Sequence, residues 1–187
     1  PDAYRLYLKG RSFLVGNQQE MDKSIDCFQQ AVACAPDYAM AHAGLAEAYT
    51  TQAYLRAVDR TVYVEKARAA VMRALELDPD LAEAHAALGG IRFFFEWDWA
   101  GADTAMRRAL ELNPGSHAVN EGYGYFLAIM GRVDEGLALL REAARLDPLS
   151  VGPVHDLGII AMVRGDYEEA AAGFRRAIDI DPNWTWG

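Results

Sequence analysis

Arg73-Ala-Leu-Glu-Leu-Asp-Pro-Asp-Leu-Ala-Glu-Ala-His-Ala-Ala-Leu-Gly89 is the stretch whose reading decides the fold. It ends one helix, turns at Asp78, Pro79 and Asp80, and opens a second helix with a small-residue face. The hinge returns as Arg108-Ala-Leu-Glu-Leu-Asn-Pro114, Arg145-Leu-Asp-Pro148 and Arg176-Ala-Ile-Asp-Ile-Asp-Pro182, and in worn form as Gln30-Ala-Val-Ala-Cys-Ala-Pro36. From Pro36 to Pro79 is 43 residues; the next three intervals, to Pro114, Pro148 and Pro182, are 35, 34 and 34. A fixed period of this size dictates the architecture, because each copy is one unit that cannot bury its apolar face alone.

Proline disfavours helical geometry in the residue before it, so Asp78, Asn113, Asp147 and Asp181 mark helix ends. Asp37, Asp80, Ser116, Ser150 and Asn183 follow as candidate caps of the next helix. Between hinges the periodicity predicts helices over 3–16, 21–34, 38–53, 62–77, 81–95, 99–112, 116–130, 134–146, 150–164 and 168–180. Gly131 and Gly165 end two of them, and Pro153 falls in a first turn where its missing N–H does no harm.

Small residues recur at fixed places. Gly10, Ala46, Gly89, Gly124 and Gly158 sit midway along the first helices. Ser24, Ala67, Ala102, Gly136 and Ala170 face them from the second helices. Ala31, Ala74, Ala109, Ala143 and Ala177 form an alanine column, and Phe28, Val71, Met106, Leu140 and Phe174 a large one a turn earlier. Such alternation at helical spacing is how antiparallel pairs interdigitate. The second copy carries about nine extra residues near 51–60, predicting a longer first helix and loop. The third replaces the glycine turn with Glu96-Trp-Asp-Trp99, whose indoles are expected to wedge between repeats.

Composition excludes several functions. The 187 residues carry a formal net charge of −9, against nucleic-acid binding, which rests on Lys and Arg neutralising phosphates. No apolar run reaches the ~18 residues of a membrane span. Cys27 and Cys34 lie two turns apart on one helix, too far for a disulfide; both read as buried packing residues, and a cytoplasmic location fits. A chain that begins at Pro1 reads as a piece of a longer protein.

A 34-residue period with two helices per copy resembles the tetratricopeptide repeat over nearly the full length. The phrases Leu6-Tyr-Leu-Lys-Gly-Arg11, Pro36-Asp-Tyr-Ala-Met-Ala-His-Ala-Gly-Leu-Ala-Glu-Ala-Tyr49 and Phe95-Glu-Trp-Asp-Trp-Ala-Gly-Ala102 more narrowly resemble such regions of bacterial adenylate cyclase-like and winged-helix regulatory proteins. The resemblance implies an all-α fold: a right-handed superhelical solenoid whose first helices line a concave groove. Its repeats would be 3–36, 37–79 with the insertion, 80–114, 115–148 and 149–182, with 183–187 starting a further copy.

In the fourth copy the packed stripe Tyr123, Gly124 and Leu127 leaves a second face showing Glu121, Tyr125 and Ile129. Neighbouring copies present Met40 and Glu47; Glu83, Phe93 and Phe94; and His155, Ile159, Met162 and Val163. A merely solvated face would be polar, so an apolar one with sparse carboxylates reads as a contact surface. Phe93, Phe94, Ile159 and Val163 fit packing between helices as well. The column that carries lysine in tetratricopeptide proteins gripping acidic chaperone tails holds Tyr7, Ala43, Ala86, Glu121 and His155 here, which disfavours that clamp.

No residues read as catalytic, cofactor-binding or metal-binding. His42 and His85 share a column in adjacent copies, too far apart for one ion, and read as packing or solvated groups. No phosphate loop or nucleophile elbow is present. The expected function is a protein-interaction scaffold holding a peptide or neighbouring domain with apolar and basic residues; the alternative is a regulatory region of a larger bacterial cyclase-like enzyme or transcription regulator. The last second helix, with Phe174 and Ile178 uncovered, is expected to favour self-association.

Overall fold

The computed structural model describes residues 2–14, 18–55 and 60–182. The started copy at 183–187, with its candidate cap Asn183, and the middle of the 51–60 insertion lie outside them. Among the described residues ten α-helices follow one another: α1 (Asp2–Phe13), α2 (Gln18–Cys34), α3 (Ala39–Leu55), α4 (Arg60–Leu77), α5 (Ala82–Ile91), α6 (Trp99–Leu112), α7 (His117–Ile129), α8 (Val133–Leu146), α9 (Val151–Arg164) and α10 (Tyr167–Ile180). A π-helical turn, Arg92–Glu96, extends α5. The fold is all-α, built from five helix pairs, with no strand among the described residues. Contacts divide the chain into two units, residues 1–112 with three pairs and residues 113–187 with two.

Each pair closes on its small-residue columns. Ala31, Ala74, Ala109 and Ala143 have no exposed surface, and Ala177 almost none. Between α7 and α8 the backbones themselves approach, and a Cβ on Gly136 would stand 2.5 Å from the Gly124 carbonyl oxygen and 2.7 Å from the Ala128 nitrogen. No real side chain fits there. In the first pair the Ser24 hydroxyl donates to the Gly10 carbonyl oxygen at 2.8 Å, so a polar group at a column position is satisfied across the same contact. Phe28, Val71 and Leu140 fill the adjoining large column with no exposure.

The hinges use their own side chains and the alanine column. The amides of Ala35, Asp78, Asp147 and Asp181 donate to the carbonyls of Ala31, Ala74, Ala143 and Ala177, ending second helices on the residues that pack them. Asp78 and Asp147 then accept from the amides of Asp80 and Leu149, both at 3.1 Å, an Asx turn. Six residues after each of three hinge prolines, His42, His85 and Asn120 hydrogen-bond the carbonyls of Pro36, Pro79 and Pro114 at 2.9–3.0 Å. A carbonyl only accepts, so both imidazoles donate through Nε2–H. Through these bonds both histidines tie a hinge to the helix after it.

Several expectations change. Ser116 caps α7 by accepting from the Val119 amide, but Ser150 makes no cap bond at the start of α9. Asp80 does not cap α5, whose N-cap is Leu81; its carboxylate binds Arg108 at 2.7 Å instead. Likewise α3 begins at Ala39, beyond Asp37. Cys27 is buried but Cys34 is exposed, because its column lies at the rim of each pair, where Leu77, Leu112, Leu146 and Ile180 are only half-buried. The long α3 of the second pair is present, anchored by buried Gln52 donating to Asp22 of α2 at 2.8 Å.

The third pair departs most. Gly131 and Gly165 turn with φ near +85°, a conformation that costs glycine nothing. The hinge-to-hinge interval from Pro79 holds one residue more than the two after it. That residue is absorbed as the π turn, because an i→i+5 hydrogen bond encloses one residue more than i→i+4. Trp97 then takes the left-handed place at φ +57° and its ring leaves the surface. Trp97 and Trp99 are 72% and 48% exposed, edge to face at 6.5 Å, and do not wedge between repeats. Arg92 ties this turn to the start of α6 instead, donating to the Gly101 carbonyl at 3.0 Å.

The close α7–α8 contact makes a prediction of opposite signs. Gly136→Ala is expected to destabilise the chain by about 1–3 kcal/mol through overpacking. Gly122, on the same pair, has nothing within 4 Å of an added methyl, so Gly122→Ala should stabilise by about 0.5–1 kcal/mol. Urea midpoints of the two variants measure this, and shifts in the same direction would refute the packing described.

Candidate functional site

In the first unit α3 packs against both α1 and α5, so one row of first helices presents Tyr7 and Arg11, then Met40 and Glu47, then Glu83 and Gly90. Arg11 reaches from α1 to α3 and donates to Glu47 at 2.6 Å. The two side chains keep 34% and 44% of their surface exposed, so the bridge lies at the wall of the row and not under it. The Glu47 charge, above all, holds the Arg11 guanidinium above its ordinary pKa, against the effect of burial. Of the carboxylates expected in the groove, Glu47 is therefore already neutralised from within.

Tyr7 lies beneath this bridge, 8% exposed. Its ring packs against Tyr38 and Phe28, centroids 5.6 and 5.9 Å away. Its hydroxyl makes no hydrogen bond among the described residues. Burial pushes the phenol up to about 12; Arg11 pulls the other way, while Glu83, Tyr38 and Glu47 add to the rise. Glu83 is half-buried on α5, and its carboxylate has neither a hydrogen bond nor an ion pair among the described residues. Gly90, two turns along α5, has open space where a Cβ would point.

Aromatic residues continue the row. The π turn sets Phe93 against Phe94 with tilted rings, centroids 4.6 Å apart, and Tyr54 from the end of α3 meets Phe94 edge-on at 5.9 Å. Phe94 is 41% exposed and Tyr54 54%, with Phe93 half-buried, so a shelf of three rings faces outward. Met40 is half-buried against the core of this unit. Sequence reasoning named Met40, Glu47, Glu83, Phe93 and Phe94 but missed Arg11 and Tyr54. Arg11 was within reach of it, one turn beyond Tyr7 on the same face.

The remaining predicted residues lie in the second unit, on α7 and α9. Glu121 lays its carboxylate over Gly152, in the place a side chain there would occupy. Tyr125 and Ile159 are half-buried, and Ile129 and Met162 are each 44% exposed. His155 packs at a tilt against Phe174 of α10 with centroids 5.7 Å apart, and its Nδ1 lies 3.3 Å from Asp156. Burial raises the pKa of Asp156, and the bond to His155 opposes this. This face is more apolar than the first unit's row, and its polar groups engage one another.

A cavity of about 420 Å³ between α5 and α6 is lined by His85, Leu88, Arg92, Arg107 and Arg108 among others. Its arginines already have carboxylate partners in Asp98, Asp103, Asp80 and Glu111, which leaves no free anion site. No cluster of three or more His, Cys, Asp or Glu suited to a metal occurs among the described residues. No described helix is long and apolar enough to cross a membrane.

Residues 98–151 and 154–184 match models of the tetratricopeptide repeat. The chain has the fold of the tetratricopeptide repeat. It is similar to the transcriptional regulator HilA of Salmonella typhimurium, 27% identical over 150 residues that make up 79% of this chain and 27% of HilA. It is also similar to the type IV pilus assembly protein PilF of Pseudomonas aeruginosa, 31% identical over 121 residues, 64% of this chain and 48% of PilF. The chain thus spans between about a quarter and about half of these relatives. Among solved structures, YrrB, a tetratricopeptide-repeat protein with an unusual peptide-binding site, superposes with a TM-score of 0.56 at 21% identity, covering 88% of this chain and 80% of YrrB. That likeness is one of fold.

The Tyr7 phenol carries a pH prediction. Unfolded, it ionises near 10; in the fold it holds its proton to about 12. Its contribution to stability is complete below pH 10 and is lost as pH rises from about 10 to about 12. From about pH 9 to about pH 11, wild type should lose more stability in urea titrations than Tyr7→Phe. Parallel losses would show that the phenol is not held in its neutral form.

Proposed function

We propose that this chain is a protein-interaction scaffold in which the row α1, α3 and α5 of the first unit holds a segment of a partner protein. The observation that carries the reading is the outward shelf of Tyr54, Phe93 and Phe94, with the Glu83 carboxylate about three turns back along the same row. Aromatic surface left in water is costly unless something covers it, and rings of this kind dominate the energetics of interfaces. The partner segment brings apolar anchors to the shelf and a basic residue to the carboxylate. In the second unit Tyr125, Ile129, Ile159 and Met162 offer a second, more apolar strip, bordered by Glu121 and His155.

A second reading, a regulatory region within a larger transcription regulator, draws on the likeness to HilA, of which the matched part is only 27%. It differs from the first in where the bound segment comes from and not in how it is held. A segment of the same polypeptide would be bound at a fixed stoichiometry in the full-length protein, and added peptide would compete with it.

Peptides selected from a random displayed library against the chain test the scaffold reading. Phe94→Ala and Tyr125→Ala should each weaken capture by about 2 kcal/mol, the size of a hot-spot loss, with the helical circular-dichroism signal intact. Ile178→Ala, exposed on α10, should change nothing. Equal binding by all three variants would remove the first-helix rows as the binding face.

A further inference from the structure

The three carboxylates that the sequence places on the groove face are not equivalent. Glu47 is bridged by Arg11, and Glu121 lies folded onto Gly152 in the other unit. Glu83 alone of the three faces this row without a hydrogen bond or ion pair among the described residues. Arg11, Glu47 and Glu83 together leave one unbalanced negative charge. Arg11 feels the charge of both carboxylates but forms its hydrogen bond and ion pair with Glu47, so the carboxylate open to an incoming cation is Glu83.

Below Glu83 lies a second unmet demand. The Tyr7 hydroxyl is buried and has no acceptor among the described residues, a costly condition for a desolvated donor. Its ring is wedged against Phe28 and Tyr38, and the charged groups of the row, Arg11, Glu83 and Glu47, act on the phenol together with Tyr38. Ala86 and Gly90 continue α5 along the same row, and nothing in the packing calls for glycine at 90, since the space where its Cβ would point is open. A glycine that no neighbour requires, inside a helix where it is unfavourable, leaves room for another main chain to come close.

We propose that Tyr7, Arg11, Glu47 and Glu83 form a reading site for one basic residue of the bound segment. Glu83 takes the ammonium or guanidinium of a Lys or Arg, and the Tyr7 hydroxyl donates to a main-chain carbonyl of the same segment. The Arg11–Glu47 bridge sets the register by closing the neighbouring carboxylate to cations. This rests on the scaffold reading and adds to it a required chemistry at one position: the shelf supplies apolar contact, and this site selects the segment.

The experiment selects displayed random peptides on the wild-type chain and on Glu83→Gln, an isosteric change that leaves the Arg11–Glu47 bridge in place. Wild type should enrich peptides with Lys or Arg at a constant distance from an aromatic or aliphatic residue. Glu83→Gln should keep the apolar preference and lose the basic one. For one enriched peptide, replacing its basic residue by norleucine should weaken binding to wild type about tenfold, equivalent to about 1.4 kcal/mol, and hardly at all to Glu83→Gln. Tyr7→Phe, which should melt no lower than wild type below pH 9 because it removes a buried donor without an acceptor among the described residues, should weaken the same peptide several-fold. Enriched peptides that lack a basic position, or keep it on Glu83→Gln, overturn the reading site; if their binding still falls with Phe94→Ala, the scaffold reading stands. No enrichment on wild type overturns both.

Discussion

Everything in each pair depends on how closely its two helices approach at the small-residue columns. Where Gly124 meets Gly136, the backbone of one helix touches that of the other, and the alanine column is sealed from solvent along the whole chain. Interiors packed this densely transmit the position of one helix to the next with little slack. The same alanines lend their carbonyls to the amides that end the second helices, so packing and termination are set by one residue. A larger side chain in that column would disturb both at once. The benefit appears on the other side of the first helices, where α1, α3 and α5 are held side by side with their outer faces in a row.

Within that order, one additional residue produces the most specialised surface. A helix of the third pair must absorb it between two fixed hinges, and it does so by widening a turn. The widened turn brings Phe93 and Phe94 together and lets Tyr54 reach them from α3. π turns accumulate at functional positions because they re-aim side chains without breaking a helix. Here the re-aimed groups are aromatic and outward, on the same row of helices as Glu83.

The hinges, the columns and the helix pairs were legible in the sequence because a period repeats each of them several times. What does not repeat was harder to read. Trp97 and Trp99 were read as wedges, yet the direction of a side chain at a turn changes with a single inserted residue, and the π turn sends both outward. Asp80 occupies a cap position by spacing and is drawn to Arg108 instead, a partner on another helix that no local pattern announces. Cys34 shares a column with leucines, but the column is a rim and not a core. In the groove, the residue types of the first-helix face were readable from their spacing. The pairing of Arg11 with Glu47, which decides which carboxylate remains available, is a contact between copies and carries no sequence signature.

Charge shows why the availability of Glu83 matters more than the overall acidity. Many arginines are engaged in exposed pairs one turn apart, such as Arg73 with Glu76, Arg132 with Glu135 and Arg145 with Glu142. Pairs of this kind contribute little to stability, but they cancel charge locally and leave the helical surface near neutral at short range. The net −9 is then felt as a diffuse field that screening reduces within about 8–10 Å at physiological salt. A diffuse field draws basic segments toward the surface without choosing among them. Choice requires a carboxylate that is partly desolvated, unpaired and held in place, because only there does a misplaced or absent cation leave an unmet interaction. On the first-helix row of the first unit, Arg11 removes Glu47 from that role and leaves it to Glu83.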